Sequence, residues 1–302
     1  MFLDELRDIT ENKITIEKNE KFAAIIGLNP SNGARSPKLW NAVLSKFEPS
    51  LKMIALDVQK KNIIKLLEFL QSNTNYLGGA VAAPYKEVAY DFLKNNVDAE
   101  VGLIKAVNNI SRGKNGKLYG HNTDGEASLA AFKENYKSIK DKNILIMGYG
   151  GVGKAVTAYF MKELSSSAKI NILTTKQNIE KVIFNNKSIT FKKWNSIDDL
   201  IKDTDILINC TDIGWNDKID RCPIEANVLK SLKKESIVYD IIYDPVETEL
   251  IRLSKKFGLE NMNGEKMNIY QAVFAFQNTI KTLNESLNIN DIKKIMLGAL
   301  PK

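Results

Sequence analysis

Short apolar runs rich in β-branched residues alternate with amphipathic stretches in the first part of the chain. The apolar runs predict strands at Phe22–Gly27, Met53–Val58 and Leu77–Ala83. Between these runs apolar residues recur at helical spacing, which predicts helices at Pro37–Phe47, Ile63–Gln71 and Pro84–Leu93. Alternating strands and helices are typical of a mostly parallel sheet with helices packed on it, so we expect an α/β fold.

A second alternating series follows a turn at Gly113–Gly116, whose flanking residues 106–110 and 117–119 predict a hairpin or an extended excursion. Its apolar runs predict strands at Asn143–Met147, Ile170–Thr174, Ile206–Asn209 and Ile237–Ile242. Two helices are predicted at the end of the chain, at Met267–Leu283 and Ile292–Leu300. Because the 302 residues are about twice the length of a typical domain, we expect two domains.

The composition favours a reducing compartment and argues against a membrane or zinc protein. Cys210 and Cys222 are the only cysteines and His121 is the only histidine, so we expect neither a disulfide framework nor a structural metal site. The first residues lack the basic and apolar regions of a secretory signal. No apolar run approaches the roughly 20 residues that cross a bilayer. We therefore expect a cytoplasmic protein without a membrane partner.

The formal net charge of +7 raises the possibility of nucleic-acid binding. The surplus is mostly lysine dispersed among acidic residues, without an arginine cluster or the mixed basic and aromatic pattern of a nucleic-acid module. We interpret these lysines as solvated surface and expect no nucleic-acid partner. The excess positive charge still favours an anionic substrate or a phosphorylated cofactor.

A glycine-rich segment lies directly between the predicted strand Asn143–Met147 and a helical stretch at Lys154–Glu163. In this context the GxGxxG pattern predicts a dinucleotide phosphate loop, because its glycines permit a tight turn, close approach of a pyrophosphate and close packing of helix on strand. The free amides of the helix N-terminus favour phosphate binding. The candidate cofactor-binding residues are Gly148, Tyr149, Gly150, Gly151, Val152 and Gly153.

The strand after this loop ends in Thr174, Thr175 and Lys176, where NAD-dependent enzymes usually place an acid on the adenosine ribose. No acidic residue stands here, and Lys176 is suited to meet a 2′-phosphate. We therefore favour NADP over NAD, although NAD remains possible.

Two motifs of the first half resemble the shikimate dehydrogenase family. Residues 84–87 (PYKE) resemble the family's PFKE, and residues 122–125 (NTDG) are identical to its NTDG. Residues 106–108 (AVN), 209–211 (NCT), 239–245 (YDIIYDP) and 271–272 (QA) match further segments, so that order and spacing agree from about residue 22 to residue 275. The resemblance implies a two-domain α/β oxidoreductase with a Rossmann-like NADP-binding domain, acting in aromatic amino acid biosynthesis by the chorismate pathway.

The resemblance also implies site residues. It makes Lys86 and Asp124 catalytic, and a proton-exchanging group is what hydride transfer from a secondary alcohol requires. Lys86 is predicted in the first helical turn after Pro84, and Asp124 would hold its ammonium group. Taken singly, Lys86 is also compatible with a solvated lysine and Asp124 with a helix cap. The implied substrate contacts are Ser36, Asn108, Tyr243 and Gln271, and Thr211 is an implied cofactor contact.

Several positions depart from the family pattern. The family's SxSP segment is Ala34-Arg35-Ser36-Pro37 here. The family's NVTVP segment corresponds to residues 80–84 (AVAAP), in which Ala80 and Ala82 replace the asparagine and threonine that contact shikimate in the family. The arginine of the family's NRT is also missing, because residues 174–176 read TTK. Since each lost hydrogen bond to a charged group costs roughly 1.5 to 3 kcal/mol, an altered substrate such as quinate or another cyclic polyol is an alternative.

We therefore predict an NADP-preferring dehydrogenase that reversibly reduces 3-dehydroshikimate, with a cyclic hydroxy acid or polyol as its small-molecule partner. Residues 1–124, completed by the helices within 265–302, are predicted as the substrate domain, and residues 125–264 as the dinucleotide domain. A non-catalytic dinucleotide-binding sensor is the alternative from another class. The sequence leaves open whether the protein is a monomer or a homodimer.

Overall fold

The structure is a computed structural model of the chain. The structure describes residues 2–300 except 15, 18, 137, 177–182, 185–186 and 281–287. The chain divides into two compact units. Unit 1 comprises Met1–Thr123 and Ile269–Lys302, and unit 2 comprises Asp124–Asn268.

Unit 1 alternates strands and helices. Its strands are β1 (Phe22–Gly27), β2 (Lys52–Asp57), β3 (Tyr76–Val81), β4 (Asn109–Arg112) and β5 (Leu118–His121). Its helices in the first part of the chain are α1 (Phe2–Ile9), α2 (Ser36–Phe47), α3 (Ile63–Ser72), α4 (Lys86–Leu93) and α5 (Ala99–Ile104), with a 3-10 turn at Lys60–Asn62. The C-terminal helices are α11 (Glu265–Ile280), of which the residues from Ile269 onward belong to unit 1, and α12 (Ile289–Gly298).

The sheet of unit 1 has the strand order β2-β1-β3-β4-β5. Strands β1, β2 and β3 are parallel, and β4 is antiparallel to both β3 and β5. The central strand β1 is buried along its whole length, and its alternate residues enter two different apolar clusters. Phe22 and Ile26 pack with α1, α3 and α4, whereas Ile25 packs with α2, α11 and α12. Burial of both faces explains why this strand reads as a continuous apolar run.

Unit 2 contains a second α/β series. Its strands are β6 (Ile144–Met147), β7 (Ile170–Leu173), β8 (Ile183–Phe184), β9 (Lys187–Ser188), β10 (Thr190–Lys192), β11 (Ile206–Asn209), β12 (Ile237–Asp240) and β13 (Glu260–Met262). Its helices are α6 (Asp124–Asn135), α7 (Gly151–Glu163), α8 (Ile197–Ile201), α9 (Ala226–Leu229) and α10 (Glu249–Lys256), with 3-10 turns at Trp194–Ser196 and Asn216–Lys218.

The main sheet of unit 2 is parallel throughout, with the order β10-β7-β6-β11-β12-β13. One face packs against α8, α9 and α10 through an apolar cluster that includes Leu145, Leu207 and Val238. On the side of α6 and α7, the ring of Phe132 contacts those of Phe160 and Tyr239. The strand order reverses beside β6, which is where parallel sheets of this kind bind ligands at the carboxyl ends of their strands.

The predicted α/β class and the order of its elements are confirmed, with small differences at their ends. Helix α4 begins at Lys86 rather than at Pro84, because Pro84 lies in a turn in which the Tyr85 N–H donates to Ala82 O (3.0 Å). Helix α7 begins at Gly151, three residues before the predicted start, since the helix includes the end of the glycine segment. The end predicted for the long C-terminal helix, Leu283, lies outside the described residues.

Within the described residues, no helix combines the length and apolar character that crossing a bilayer requires.

Candidate active site

One edge of the unit 1 sheet carries most of the predicted residues of that unit. The carboxyl ends of the parallel strands β1 and β3 lie at this edge, and Ser36 and Lys86 follow them as the first residues of α2 and α4. Strand β4 runs the opposite way, so Asn108, which precedes it, lies at the same edge. Carboxyl ends of parallel strands are the usual place for a ligand in an α/β sheet.

Asn108 holds the segment that leads to Asp124. Its Oδ1 accepts the backbone N–H of Thr123 (2.8 Å), and its Nδ2 donates to Thr123 Oγ1 (3.0 Å). Thr123 Oγ1 in turn donates to the backbone carbonyl of Gln271 in α11 (3.2 Å). The structure therefore brings Asn108 and Gln271 together through Thr123, and the buried Asn108 side chain fixes the backbone immediately before Asp124.

Lys86 adjoins the same segment through its backbone. Its carbonyl accepts the N–H of Val107 (2.8 Å), the residue before Asn108, and its side chain is half-buried. The first intrahelical bond of α4 runs from the Ala89 N–H to Tyr85 O (2.8 Å), so Lys86 lies in the first turn as predicted. The ring of Tyr85 is buried, and its hydroxyl donates to Val58 O (2.6 Å), which anchors the start of the helix.

The loop before Ser36 is tied to the end of β2 by Asp57. This carboxylate accepts the backbone N–H of Ser31 (2.8 Å) and the Ser31 hydroxyl (2.5 Å). Ser36 itself is only 8% exposed. Sequence reasoning missed Asp57, although an acidic residue at the end of an apolar strand is a recognisable signal.

The three alanines at the positions that depart from the family pattern pack against the same apolar cluster. Ala80 is buried, and Ala34 and Ala82 are partly buried, all against the apolar cluster formed by α2, α11 and β1. The Cβ of Ala82 also lies beside Gly27 at the end of β1. This part of the edge therefore presents methyl groups where the family pattern has hydrogen-bonding side chains.

A second buried asparagine, Asn109, ties the C-terminal helix to the sheet and was not predicted. Its Nδ2 donates to Gly79 O (2.9 Å) in β3 and to Thr279 Oγ1 (3.0 Å) in α11, while its Oδ1 accepts from Asn278 Nδ2 (3.2 Å). The signal in the sequence was an asparagine pair directly after the apolar residues Ala106 and Val107. Since buried polar groups need partners, such a residue indicates a specific contact.

In unit 2 the glycine segment forms a tight loop between β6 and α7. Gly148 has a φ of +94°, which a side chain disfavours, and a Cβ there would lie 2.9 Å from Cys210 O. A Cβ on Gly153 would lie 2.4 Å from Gly148 O, so this glycine allows the helix to approach the loop. Both positions require glycine for reasons internal to the unit.

Gly150 differs, because no protein atom lies within 4 Å of the place of its missing Cβ. The open space lies at the N-cap of α7, and the first intrahelical bond of that helix is made by the Lys154 N–H to Gly150 O (2.9 Å). The N–H groups of Gly151, Val152 and Gly153 precede this bond, and N-terminal N–H groups of this kind donate hydrogen bonds to anions. An exposed glycine beside helix amides fits the pyrophosphate of a dinucleotide.

The side chain of Tyr149 has an additional, structural role. Its ring is buried and packs edge-on against Phe191 of β10, with 4.9 Å between ring centroids. Burial raises the pKa of Tyr149 to about 12, so its hydroxyl stays protonated. The ring of Tyr149 therefore contributes to the packing of unit 2 beside the loop.

The predicted ribose-binding residues lie at the carboxyl end of β7. Thr174 is buried and its Oγ1 accepts the backbone N–H of Lys176 (3.1 Å), whereas Thr175 and Lys176 have exposed side chains. Thr174 also donates its N–H to the carbonyl of Lys192 in the neighbouring strand β10 (3.2 Å). Thr174 thus shapes the turn, and the side chains of Thr175 and Lys176 are exposed at the end of β7.

Thr211 lies beside the glycine loop, but its hydroxyl is used within its own turn. It donates to Asn209 Oδ1 (2.7 Å) and accepts the N–H of Ile213 (3.1 Å). Its methyl group is 3.0 Å from the place of a Cβ on Gly148. Thr211 therefore borders the predicted cofactor site with a methyl group.

Asp240 is the centre of a buried network that sequence reasoning did not predict. Its carboxylate accepts from Asn209 Nδ2 (3.1 Å), the Ile242 N–H (3.1 Å) and Thr248 Oγ1 (2.7 Å). Burial raises the pKa of Asp240 to about 6, although these hydrogen bonds oppose the shift. The network fixes the loop after β12, in which Tyr243 lies half-buried.

Asp124 begins α6 and is 4% exposed. Burial raises the pKa of the Cys210 thiol, and the charges of Asp240 and Asp124 raise it further. The next residue, Gly125, packs so closely on α7 that a Cβ would lie 2.3 Å from Ala155 O. The start of α6 therefore packs on α7 within unit 2. The pairing of Asp124 with Lys86 of unit 1 stays a prediction.

Comparison with known proteins identifies relatives over most of the chain. The model of the shikimate dehydrogenase substrate binding domain matches residues 25–110. A curated shikimate dehydrogenase (NADP(+)) from Methanosphaera stadtmanae is 33% identical over 261 residues, which cover 84% of this chain and 89% of the relative. One from Methanococcus maripaludis is 32% identical over 272 residues, covering 87% and 92%. A crystal structure of a shikimate dehydrogenase in complex with NADP⁺ superposes with a TM-score of 0.77 at 28% identity, covering 95% and 98%.

Proposed function

The chain belongs to the shikimate dehydrogenase family, and we propose that it catalyses the reversible, NADP-dependent oxidation of shikimate to 3-dehydroshikimate. The observation that carries this proposal is the alignment of 84% of the chain, at 33% identity, with a relative of that activity. In the proposed arrangement, residues 1–124 and 265–302 bind the substrate, and residues 125–264 bind the dinucleotide. The function places the protein in aromatic amino acid biosynthesis.

The dinucleotide, when bound, supplies the hydride chemistry. The amides of Gly151, Val152 and Gly153 would hold its pyrophosphate above Gly150, where no protein side chain intrudes. Thr174, Thr175 and Lys176 would meet its ribose, and the Thr211 methyl would border it. Gly148 and Tyr149 contribute the loop backbone.

In this proposal Lys86 exchanges the proton of the reacting hydroxyl. Oxidation removes a hydride from the carbinol carbon and a proton from its oxygen, and Lys86 Nζ accepts that proton and returns it during reduction. Asp124 would hold the ammonium group and the hydroxyl in a reactive geometry. The proposal is supported by the backbone positions of both residues. Lys86 is the first residue of α4, and Asp124 comes directly after Thr123, which is hydrogen-bonded to Asn108.

Four further residues are proposed to surround the substrate. Ser36 offers a hydroxyl at the start of α2, and Asn108, Tyr243 and Gln271 complete the set. The hydrogen bonds of Asn108 to Thr123 indicate that it also positions Asp124.

The direct test measures reduction of NADP and NAD by the purified protein with shikimate and with quinate. We expect shikimate with NADP to give the highest kcat/KM. Absence of turnover with both acids, while dinucleotide still binds, would contradict the proposed activity and favour a dinucleotide-binding sensor.

A second candidate function is supported by the alanines at positions 34, 80 and 82. Because these methyl groups replace polar side chains, quinate or another cyclic polyol, including one without a carboxylate, is the alternative substrate. The variants Ala80→Asn and Ala82→Thr restore the family's side chains. If shikimate is the substrate, they leave its KM within about threefold, whereas a lower KM for shikimate together with slower turnover of the polyol favours the alternative.

A further inference from the structure

The end of β10 places two more lysines beside the predicted ribose-binding residues. Strand β10 is parallel to β7 with Lys192 paired to Leu173, and the carbonyl of Lys192 accepts the N–H of Thr174 (3.2 Å). Lys193 is the next residue in the chain. Both lysines therefore leave the sheet at the same carboxyl edge, one strand away from Thr175 and Lys176.

The side chains at this edge are positively charged and accessible. Lys176, Lys192 and Lys193 are all exposed. In the part of the chain that the structure describes, the ion pairs of unit 2 do not include Lys192 or Lys193. Like charges on adjacent strand ends repel one another, so an anion between them would be stabilised.

The place of these lysines in the sheet indicates which anion they would bind. A residue at the end of the second strand of a dinucleotide-binding sheet contacts the adenosine ribose, and here no acid is present to bind a 2′-hydroxyl. Residues 174–176 read Thr-Thr-Lys and carry one positive charge. The additional positive charge near a phosphate on the ribose would thus come from Lys192 and Lys193 at the end of the neighbouring strand β10.

We propose that Lys192 and Lys193 bind the 2′-phosphate of NADP together with Lys176, and that β10 thereby sets the preference for NADP over NAD. This inference rests on the proposed function, because it takes the ligand to be a nicotinamide dinucleotide. Lys193 continues the extended backbone of β10 (φ −77°, ψ 157°), so the side chains of the two lysines leave the chain on opposite faces of the sheet end. Lysine contributes to phosphate binding as a point charge, so the two lysines act mainly through electrostatic attraction.

The test compares two double variants that remove the same charge. Lys192→Gln with Lys193→Gln removes the proposed contacts. Lys169→Gln with Lys234→Gln is the matched control, because these lysines are exposed but precede β7 and β12 at the opposite edge of the same sheet. Titration calorimetry with adenosine 2′,5′-bisphosphate and with AMP, on the full chain, reports the affinity that depends on the 2′-phosphate.

We expect the first double variant to bind the bisphosphate about tenfold more weakly and AMP within about twofold of wild type, since each partly solvated charge pair contributes modestly. The control should keep both affinities. Equal weakening of the bisphosphate in the control, or an unchanged ratio of the two affinities in the first variant, would overturn the proposal. Because no shikimate is present, failure of shikimate turnover would contradict the proposed activity and leave this result intact.

Discussion

The candidate binding region of unit 1 depends on side chains, whereas that of unit 2 depends on the backbone. In unit 1 the sheet edge is fixed by side-chain hydrogen bonds, such as those of Asn108 and Asp57. In unit 2 the phosphate loop is shaped by glycines, whose missing side chains leave room for the backbone and for a ligand. Under the proposed function, we therefore expect side-chain replacements in unit 1 to change which substrate binds, and a single methyl group in the loop of unit 2 to weaken every dinucleotide.

The largest effect is expected for Lys86→Ala, which tests whether side-chain chemistry resides in unit 1. Without a group to exchange the hydroxyl proton, kcat should fall about 10³-fold, while NADP affinity stays unchanged. The matched control is Lys94→Ala, which removes an exposed lysine at the other end of α4. Steady-state kinetics with shikimate and calorimetry with NADP provide the two readouts, and a kcat within about tenfold of wild type would contradict the proposed role.

The next effect concerns stability and comes from Arg112, whose five hydrogen bonds all go to backbone carbonyls. They reach Tyr76 (2.6 Å), Gly116 (2.6 Å) and the end of α3 at Leu70 (2.6 Å), Gln71 (3.2 Å) and Asn73 (2.9 Å). In Arg112→Met these carbonyls lose their partner, and the free energy of unfolding should fall by about 3 kcal/mol.

Urea unfolding followed by circular dichroism measures this change. The control is Arg221→Met, at an exposed arginine of unit 2. If Arg112→Met and the control unfolded at the same urea concentration, the network around Arg112 would contribute no stability.

Gly150→Ala tests whether the binding region of unit 2 depends on a missing side chain. The residue has an ordinary extended backbone and nothing near the new methyl group, so the melting temperature should not change. The methyl group would stand where a pyrophosphate approaches, so NADP affinity should fall by about tenfold or more. Gly102→Ala, which also meets no neighbouring atom, is the control in unit 1. Wild-type NADP affinity in Gly150→Ala would show that the pyrophosphate lies elsewhere.

The smallest effect is a pH dependence in unit 1. Burial lowers the pKa of His121 below 6.5, although the charge of Asp98 opposes this, and His121 Nε2 lies 2.7 Å from Ser111 Oγ. Since the folded pKa is the lower one, the stabilisation is present above pH 6.5 and is lost as the pH falls towards the folded pKa. Between pH 7 and pH 5, the melting temperature should therefore fall more steeply for wild type than for His121→Gln. Equal falls in the two proteins would contradict this role of His121.

The sequence predicted the features that depend on residues close together in the chain. Strand periodicity and the glycine loop depend on neighbouring residues, so β1, β6 and the loop at Gly148 were predicted correctly. The hydrogen bonds of Asn109 and Arg112 join residues far apart in the chain, which periodicity cannot reveal.

The candidate site shows the same division. Motifs predicted Lys86 in a first helical turn, whereas the burial of Tyr149 depends on Phe191, a residue of another strand. The proximity of Lys192 to Thr174 likewise appears only once β10 is paired with β7. The pairing of Lys86 with Asp124 remains a prediction.

The hydrogen bonds of Asn109 to α11 have a consequence for the order in which the protein forms during synthesis. Unit 2 is one continuous segment, whereas unit 1 needs residues from 269 onward to complete the apolar cluster between its sheet and helix α2, which includes Trp40. A ribosome releasing the chain therefore completes unit 2 while Trp40 still lacks Phe276, its partner at 5.1 Å. The part of the chain made first is thus the last to be finished.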